Sequence, residues 1–225
     1  MMPVWPKVSV LISLLWASIA FADTWVEHNS PDQLVQVWVK PQDEQQRYDI
    51  VRAEITIQAP ILPLLAMLQD AEHQQQWLPY TKDVRILAKP SSTQTLVQFR
   101  TLTRWPFKPR DAITQFNVMV ESKEQLRIEM INLPQQYPNE PGFLRIREAE
   151  GYWLLSALPE CKTRVRYQSG SRWGGMIPQW LVNTSNRDLA VAALMNLKRW
   201  VETDYSQYEA DDETVATITA HNRCP

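Results

Sequence analysis

Few side chains in this sequence are spaced for catalysis. Glu148 and Glu150 lie two residues apart in an apolar run, so on a strand they would share one face, as paired carboxylates must for acid–base chemistry. Arginines stand close by in the sequence, at 145, 147, 164 and 166, and the sequence favours cross-strand charge pairing as the role of both carboxylates. An enzyme would need one of them, or Tyr152, to face a cavity.

The remaining candidates for chemistry are weaker. His28, His73 and His221 fall in three separate predicted segments, without the spacing of metal ligands. Phosphate-binding loops, dinucleotide fingerprints and a Gly-x-Ser-x-Gly turn do not occur in the sequence. The formal net charge is −2, and no basic stripe interleaves with aromatic residues. We therefore expect no catalytic residues, metal, cofactor or nucleic-acid partner.

A proline-rich stretch, Trp-Pro-Phe-Lys-Pro-Arg-Asp at 105–111, joins two predicted strands. Its prolines favour an extended connection. Trp105 and Phe107 bring large apolar surface to one end of the sheet, and Arg110 and Asp111 are predicted to hold the corner through hydrogen bonds or an ion pair. By composition alone, this would be a corner with a buried tryptophan.

The other elements form a simple series. Residues 34–39 alternate apolar and polar side chains, 48–58 read as a β-branched strand, and 61–70 and 72–77 as two short helices. Short turns separate six further candidate strands, which favours an antiparallel meander: 84–88, 95–103, 112–121, 125–132, 143–157 and 163–171. Residues 179–205 carry the longest helical pattern, preceded by a flexible apolar run at 173–178.

Two motifs resemble a known family. Trp-Pro-x-x-x-Arg-Asp at 105–111 resembles the strand-joining motif of START domains, the lipid-transfer modules of the helix-grip (SRPBCC) superfamily. Gly-Gly-x-Ile-Pro-x-Trp-Leu-Val-Asn at 174–183 resembles their lid loop and helix start, and the element order matches over 49–205. The resemblance implies an α+β helix-grip fold, a curved antiparallel sheet wrapped around a long C-terminal helix with two short helices after the first strand. It also implies an apolar tunnel for one phospholipid or fatty-acyl molecule.

Candidate binding residues follow from that resemblance. Large or adaptable side chains on the strands, the lid and the helix would line the tunnel, with core packing as the alternative for each: Phe99, Arg100, Trp105, Phe116, Met130, Trp153, Tyr167, Met176, Leu181, Leu194 and Met195. Strand alternation lets only one of Phe99 and Arg100 face inward, and an inward Arg100 would suit a phosphate or carboxylate. The lid would comprise Trp173, Gly174, Gly175, Met176 and Ile177, opening at a membrane surface.

Two rival interpretations stay open at this point. Helix-grip relatives include aromatase/cyclase-type proteins and hydrolases that act on bound apolar substrates. Such an enzyme would show a carboxylate in the tunnel without an arginine partner. The second rival is a scaffold whose interior is filled, and a cavity too small for an acyl chain would favour it.

The ends of the chain predict export. Lys7, an apolar run at 8–19 and Ala-Phe-Ala at 20–22 are typical of a cleavable signal peptide, with an uncleaved anchor as the alternative. We therefore expect residues 1–22 to be removed, a lipid-binding domain at 23–205, an acidic tail at 206–225, and a periplasmic or secreted protein. In that oxidising space Cys161 and Cys224 form a possible disulfide.

Overall fold

The computed structural model describes residues 25–28, 30, 33–42 and 47–203, which form a ten-stranded sheet and three helices. The helices are α1 Ile61–Gln69, α2 Ala71–Trp77 and α3 Gln179–Thr203. The strands are β1 Val26–His28, β2 Gln36–Lys40, β3 Ile50–Ile57, β4 Thr81–Ser91, β5 Gln94–Thr101, β6 Arg110–Val120, β7 Gln125–Asn132, β8 Leu144–Arg145, β9 Glu148–Leu158 and β10 Lys162–Arg172.

The sheet is open, and its C-terminal strand β10 pairs with β3. Its order is β1-β2-β3-β10-β9-β7-β6-β5-β4, and every neighbouring pair on this path is antiparallel. The short β8 lies off the path and pairs in parallel with the start of β6. Most neighbouring strands are also close in sequence, whereas β3 and β10 are neighbours in the sheet but far apart in sequence.

One face of the sheet carries the core. On β3 the β-branched residues Val51, Ile55 and Ile57 are buried and point inward, whereas Arg52 and Glu54 alternate with them. Helix α3 packs chiefly against β3 and β10, and it also contacts β2, α1 and α2. The inner face of β5, β6 and β7 lies farther from α3, and this difference leaves room for a cavity.

The predicted fold class is confirmed: the molecule is α+β, with a mostly antiparallel sheet, two short helices and a long C-terminal helix. Helix α3 begins at Gln179, as predicted, and its end lies at the limit of the described residues. One detail is wrong, because the two short helices follow the third strand. Residues 36–39 of the alternating stretch at 34–39 belong to β2, which pairs with β3 along its whole length.

The predicted strand at 143–157 is interrupted. Ile146 and Arg147 separate β8 from β9, because β8 pairs with β6 whereas β9 pairs with β7 and β10. A single straight strand cannot satisfy both sets of partners. Hydrophobicity along 143–157 does not reveal this change of partner.

Several predictions concern residues outside the described ranges. These are the signal peptide at 1–22, the last two residues of the helical pattern at 204–205, the acidic tail at 206–225 and Cys224, so the disulfide with Cys161 stays a prediction. Among the helices that the structure describes, none combines the length and the apolar character needed to cross a membrane.

Candidate ligand-binding site

A cavity of about 220 Å³ lies between the sheet and the helices. Residues of β5, β6, β7, β9 and β10 form one wall, and residues of α2 and α3 form the other. The volume is below the roughly 300–1,000 Å³ usual for pockets that hold drug-sized ligands. The presence of this cavity shows that the interior is not filled, and the small volume of the cavity suits a slender molecule.

Five predicted lining residues, all on strands, do line the cavity: Phe99, Phe116, Met130, Trp153 and Tyr167. The rings of Phe99 and Phe116 meet edge to face at 5.8 Å, and those of Trp153 and Tyr167 lie 4.3 Å apart. Burial raises the pKa of the Tyr167 hydroxyl, which therefore stays neutral at ordinary pH. Contact of these side chains with a ligand remains a prediction.

Strand β5 resolves the alternative between Phe99 and Arg100. Phe99 faces the cavity, and Arg100 points to the opposite face. There the Arg100 guanidinium lies 2.6 Å from Asp83 and 3.4 Å from Glu140. Arg100 is therefore not a cavity-lining partner for a ligand headgroup, because two carboxylates on the outer face already neutralise it.

The other predicted lining residues lie elsewhere. Trp105 and Met176 are 91% and 94% exposed, so neither lines the cavity. On α3, Leu194 is fully buried and Met195 packs against the core, while Leu181 is half-buried; none of the three lines the cavity.

The helix residues that do line the cavity share a neighbouring face of α3: Asn186, Leu189 and Ala193. These positions are three and four residues apart, so they stack along one side of the helix. Leu194 is one residue further on, about 100° around the axis, and that rotation directs it into the core.

Arg110 and Asp111 lie on opposite faces of β6, and each binds its own partners. Asp111 is 1% exposed, and its Oδ2 accepts hydrogen bonds from Arg145 at 2.7 and 3.0 Å and from Gln98 at 3.0 Å. Arg145 also donates to the carbonyls of the 134–138 turn. Asp111 therefore holds the loop between β7 and β8 against the outer face of the sheet through Arg145.

Arg110 instead faces the cavity and the lid. Its Nη2 donates to the carbonyl of Gly174 at 3.0 Å, and its Nη1 donates to the carbonyl of Lys108. The side chain is 1% exposed, and burial lowers the pKa of the guanidinium from its ordinary value. One guanidinium thus connects the β5–β6 corner to the lid.

The predicted lid, residues 173–177, leaves β10 and turns through two glycines. Gly174 and Gly175 have φ values of +65° and +72°, a region that favours glycine. The Trp173 indole donates to Ser171 Oγ at 3.0 Å and lines the cavity, whereas Met176 is exposed. A Cβ on Gly175 would lie 3.1 Å from Leu144 and 3.4 Å from Arg110.

The acidic candidates for catalysis have partners on or near the sheet. Arg172, the cross-strand neighbour of Glu148, lies 3.3 Å from it. Glu150 lies at the edge of the cavity, is exposed, and accepts a hydrogen bond from Tyr48 at 3.3 Å. Tyr152 donates to Gln168 at 3.1 Å. Cross-strand pairing was expected here, but the arginine that pairs with Glu148 is not one of those singled out.

Metal binding finds no support in the part of the chain that the structure describes. No group of three or more histidine, cysteine, aspartate or glutamate side chains there is arranged to hold an ion. Asp70 and His73 contact each other at 2.6 Å, but as a helix-capping pair on the surface.

The structure adds polar residues to the cavity wall that sequence reasoning did not select. They include Arg110, Asn132 and Asn186, each with a buried polar atom that has no partner: Nε, Oδ1 and Nδ2 respectively. For Arg110 a signal existed, because counting back from Phe116 by twos places residue 110 on the same strand face. Asn186 gave no such signal, since a polar residue on an amphipathic helix usually faces solvent.

Comparisons with known proteins agree with this architecture. No protein-family model matches the chain. An uncharacterized protein of Pseudomonas aeruginosa is 23% identical over 156 residues, which span 69% of this chain and 77% of the relative. That similarity covers most of both chains but assigns no function.

The chain is also similar to solved structures. A STAR-related lipid transfer protein from Xanthomonas axonopodis has a TM-score of 0.72 at 24% identity, covering 79% of this chain and 98% of that one. Human StAR-related lipid transfer protein 5 has a TM-score of 0.70 at 16% identity, with 81% and 88% covered. The ZhuI aromatase/cyclase of Streptomyces is more distant, with a TM-score of 0.52 at 14% identity and 68% and 93% of the two chains covered. The chain therefore has the same fold as these STAR-related lipid transfer structures.

Proposed function

We propose that this protein binds one hydrophobic or amphipathic lipid non-covalently in the cavity and transfers or senses it at a membrane. The observation that carries the proposal is the cavity itself, which is lined by aromatic and aliphatic side chains between sheet and helix. Burying each CH₂ of an acyl chain contributes about 0.8 kcal/mol, so an apolar lining alone supplies affinity. The lipid-transfer names of two structural neighbours support the same assignment.

An exposed apolar patch beside the lid suits contact with a bilayer. Trp105, Met176 and Trp180 are 91%, 94% and 69% exposed, and Arg110 holds the corner and the lid together. Tryptophan favours the membrane–water interface. The exposed basic side chains at 104 and 108 would be attracted to anionic lipid headgroups. Opening of the lid at such a surface would pass the lipid between bilayer and cavity.

Neighbouring residues on β6 provide a test with a matched control. Thr114 lines the cavity, whereas Gln115 points to the opposite face. Vesicles of phosphatidylethanolamine and phosphatidylglycerol, carrying pyrene-labelled fatty acid at a density high enough to form excimers, report extraction by loss of excimer fluorescence. Thr114→Phe, which fills the cavity, should reduce extraction several-fold, and Gln115→Phe should leave it unchanged. Equal extraction by wild type and Thr114→Phe would contradict the proposal.

An enzyme of the cyclase type is the second candidate, favoured only by the distant similarity to an aromatase/cyclase. Among the described lining residues, the acidic side chain is Glu150, which is exposed and hydrogen-bonded to Tyr48. Recovery of bound lipid in chemically unchanged form after prolonged incubation supports a carrier. Its conversion to a new product, lost in Glu150→Gln, would support the enzyme instead.

We also propose that the protein is exported, on the strength of the N-terminal residues 1–22. Mass spectrometry of the protein from its native host should give a chain that begins at Asp23. An intact N-terminus in the soluble cell fraction would contradict export.

A further inference from the structure

Arg110 is a buried cation without an acidic partner in the described part of the chain. It is 1% exposed and is among the largest fully buried side chains. Its two terminal nitrogens donate to the carbonyls of Lys108 and Gly174, while its Nε has no partner. The adjacent carboxylate, Asp111, points to the other face and is engaged by Arg145. Buried charges are normally paired, since an unpaired one costs several kcal/mol.

A second donor without a partner lies at the same end of the cavity. Asn186, on α3, is 7% exposed, and its Nδ2 has no partner. Its Oδ1 is 3.3 Å from Ser171 Oγ, which in turn accepts a hydrogen bond from Trp173. Trp173 precedes Gly174, whose carbonyl binds Arg110. Arg110 and Asn186 therefore flank the same short segment of the lid.

The strand register makes the cavity amphipathic along its length. Toward the lid, Asn132 on β7 lines the wall opposite Thr114 of β6, and Ser171 on β10 lines it opposite Ala149 of β9. Farther from the lid, Ile128, Trp153 and Tyr167 lie side by side in a single row across β7, β9 and β10. Polar side chains thus gather at the lid end and apolar ones at the interior end.

The size of the cavity limits what can lie in it. About 220 Å³ is small for a pocket, and the rings of Trp153 and Tyr167 line its interior end. One acyl chain is a closer fit than two. The polar end offers the buried charge of Arg110 and the neutral donor of Asn186, whereas the Glu150 carboxylate, at the edge of the cavity, is exposed and accepts a hydrogen bond from Tyr48. These buried donors suit an anion better than a choline or an amine.

We propose that the cavity selects a single-chain amphipath with an anionic head, a carboxylate or a phosphate monoester, and that Arg110 binds this head at the lid end. This inference rests on the proposed lipid-binding function. The guanidinium Nε and the Asn186 amide donate to the head, and the chain lies against Trp153 and Tyr167. The anion provides the counter-charge that Arg110 lacks, in a charge-assisted hydrogen bond.

The test compares ligands that differ only in the head. Palmitate, palmitoyl lysophosphatidate and hexadecanol are titrated into the full-length protein, and dissociation constants are measured by isothermal calorimetry below the micelle concentration. Wild type should bind at least one anion on the order of tenfold or more tighter than hexadecanol. Whichever anion binds more tightly identifies the head. Arg110→Met should bring the anion-to-alcohol ratio close to one, and Arg110→Lys should restore part of it.

The ratio separates the role of charge from that of lid closure. Loss of the hydrogen bond to Gly174 would weaken both ligand types alike and leave the ratio unchanged. Should Arg110→Met fail to fold, Asn186→Asp, which introduces an opposing charge at nearly constant shape, should lower the ratio in the same way. Equal binding of anions and alcohol by wild type, or an unchanged ratio in the variants, would overturn the inference while leaving lipid binding in place. Binding of none of the three ligands would overturn both.

Discussion

Asp111, near the start of β6, anchors the segment between β7 and β8 through a buried ion pair with Arg145. Asp111→Ala should lower the free energy of unfolding by about 3–5 kcal/mol, because it leaves the Arg145 guanidinium buried without a counter-charge. Urea denaturation followed by tryptophan fluorescence measures the change. The matched control is Glu121→Gln, which removes the more exposed pair with Arg127 and should cost no more than about 1 kcal/mol. Equal effects of the two substitutions would show that the Asp111 pair is not structurally important.

Tyr48 makes stability depend on alkaline pH. Burial and the nearby carboxylate of Glu150 raise the pKa of the Tyr48 hydroxyl to about 12, from an ordinary value of 10.0. The unfolded chain therefore releases this proton at lower pH than the folded chain, and the free energy of unfolding should decrease as pH rises from about 10 to 12.

Tyr48→Phe should make that decrease shallower, although Tyr167 keeps a part of it because burial also raises its pKa. Denaturation midpoints measured at intervals between pH 9 and 12 test the effect, with Tyr137→Phe as the control for an exposed phenol. Parallel pH curves for wild type and Tyr48→Phe would contradict the assignment.

At the scale of elements, the lid depends on its second glycine. Gly175→Ala introduces a Cβ at φ +72°, close to Leu144 and Arg110, and this strain destabilises the closed lid. We expect ligand dissociation to become on the order of tenfold faster, as measured by stopped-flow displacement of a fluorescent fatty acid.

Gly142→Ala is the control for this variant. Gly142 has φ +85°, but a Cβ there meets nothing within 4 Å, and the residue lies outside the lid. Gly142→Ala should lower the free energy of unfolding without changing the rate of ligand dissociation. Unchanged ligand exchange rates in Gly175→Ala, and also in Gly174→Pro or Gly175→Pro, would contradict a role for the lid in ligand exchange.

The elements were largely predictable because their patterns are local. Turn residues separate the strands, and the α3 stripe begins directly after the Gly-Gly and Pro signals. Strand alternation also correctly limited the choice between Phe99 and Arg100 to one inward residue. Strand alternation could not decide which of the two residues faces inward, because the answer depends on which face of the sheet α3 covers. The break between β8 and β9 was missed for a similar reason, since it arises from pairing partners distant in sequence.

The cavity was harder to predict than the fold. Leu189 and Leu194 both belong to the broad apolar stripe of α3, yet Leu189 lines the cavity and Leu194 enters the core. Trp105 was assigned to the interior because large aromatic residues are usually buried, but the corner presents it to solvent. Which side chains surround an unfilled space depends on the relative positions of whole elements, and residue types do not encode these directly.

At the scale of the whole molecule, the exposed patch beside the lid predicts membrane binding. Trp105→Asp and Met176→Asp should each reduce co-sedimentation with phosphatidylglycerol-containing vesicles several-fold, since both side chains are almost fully exposed and neither contributes to the core. Ile86→Asp, at a half-exposed position on the edge strand β4, is the control for an added charge elsewhere. Unchanged sedimentation of the two patch variants would place the membrane contact on another surface.

The central claim is that the cavity holds one lipid. Native mass spectrometry of the full-length protein, purified without detergent, tests it most directly, followed by organic extraction and lipid analysis. We expect one bound molecule per chain, with a single acyl chain and an anionic head, and loss of that molecule in Thr114→Phe. A mass equal to that of the polypeptide alone, with no uptake from mixed-lipid vesicles, would contradict it.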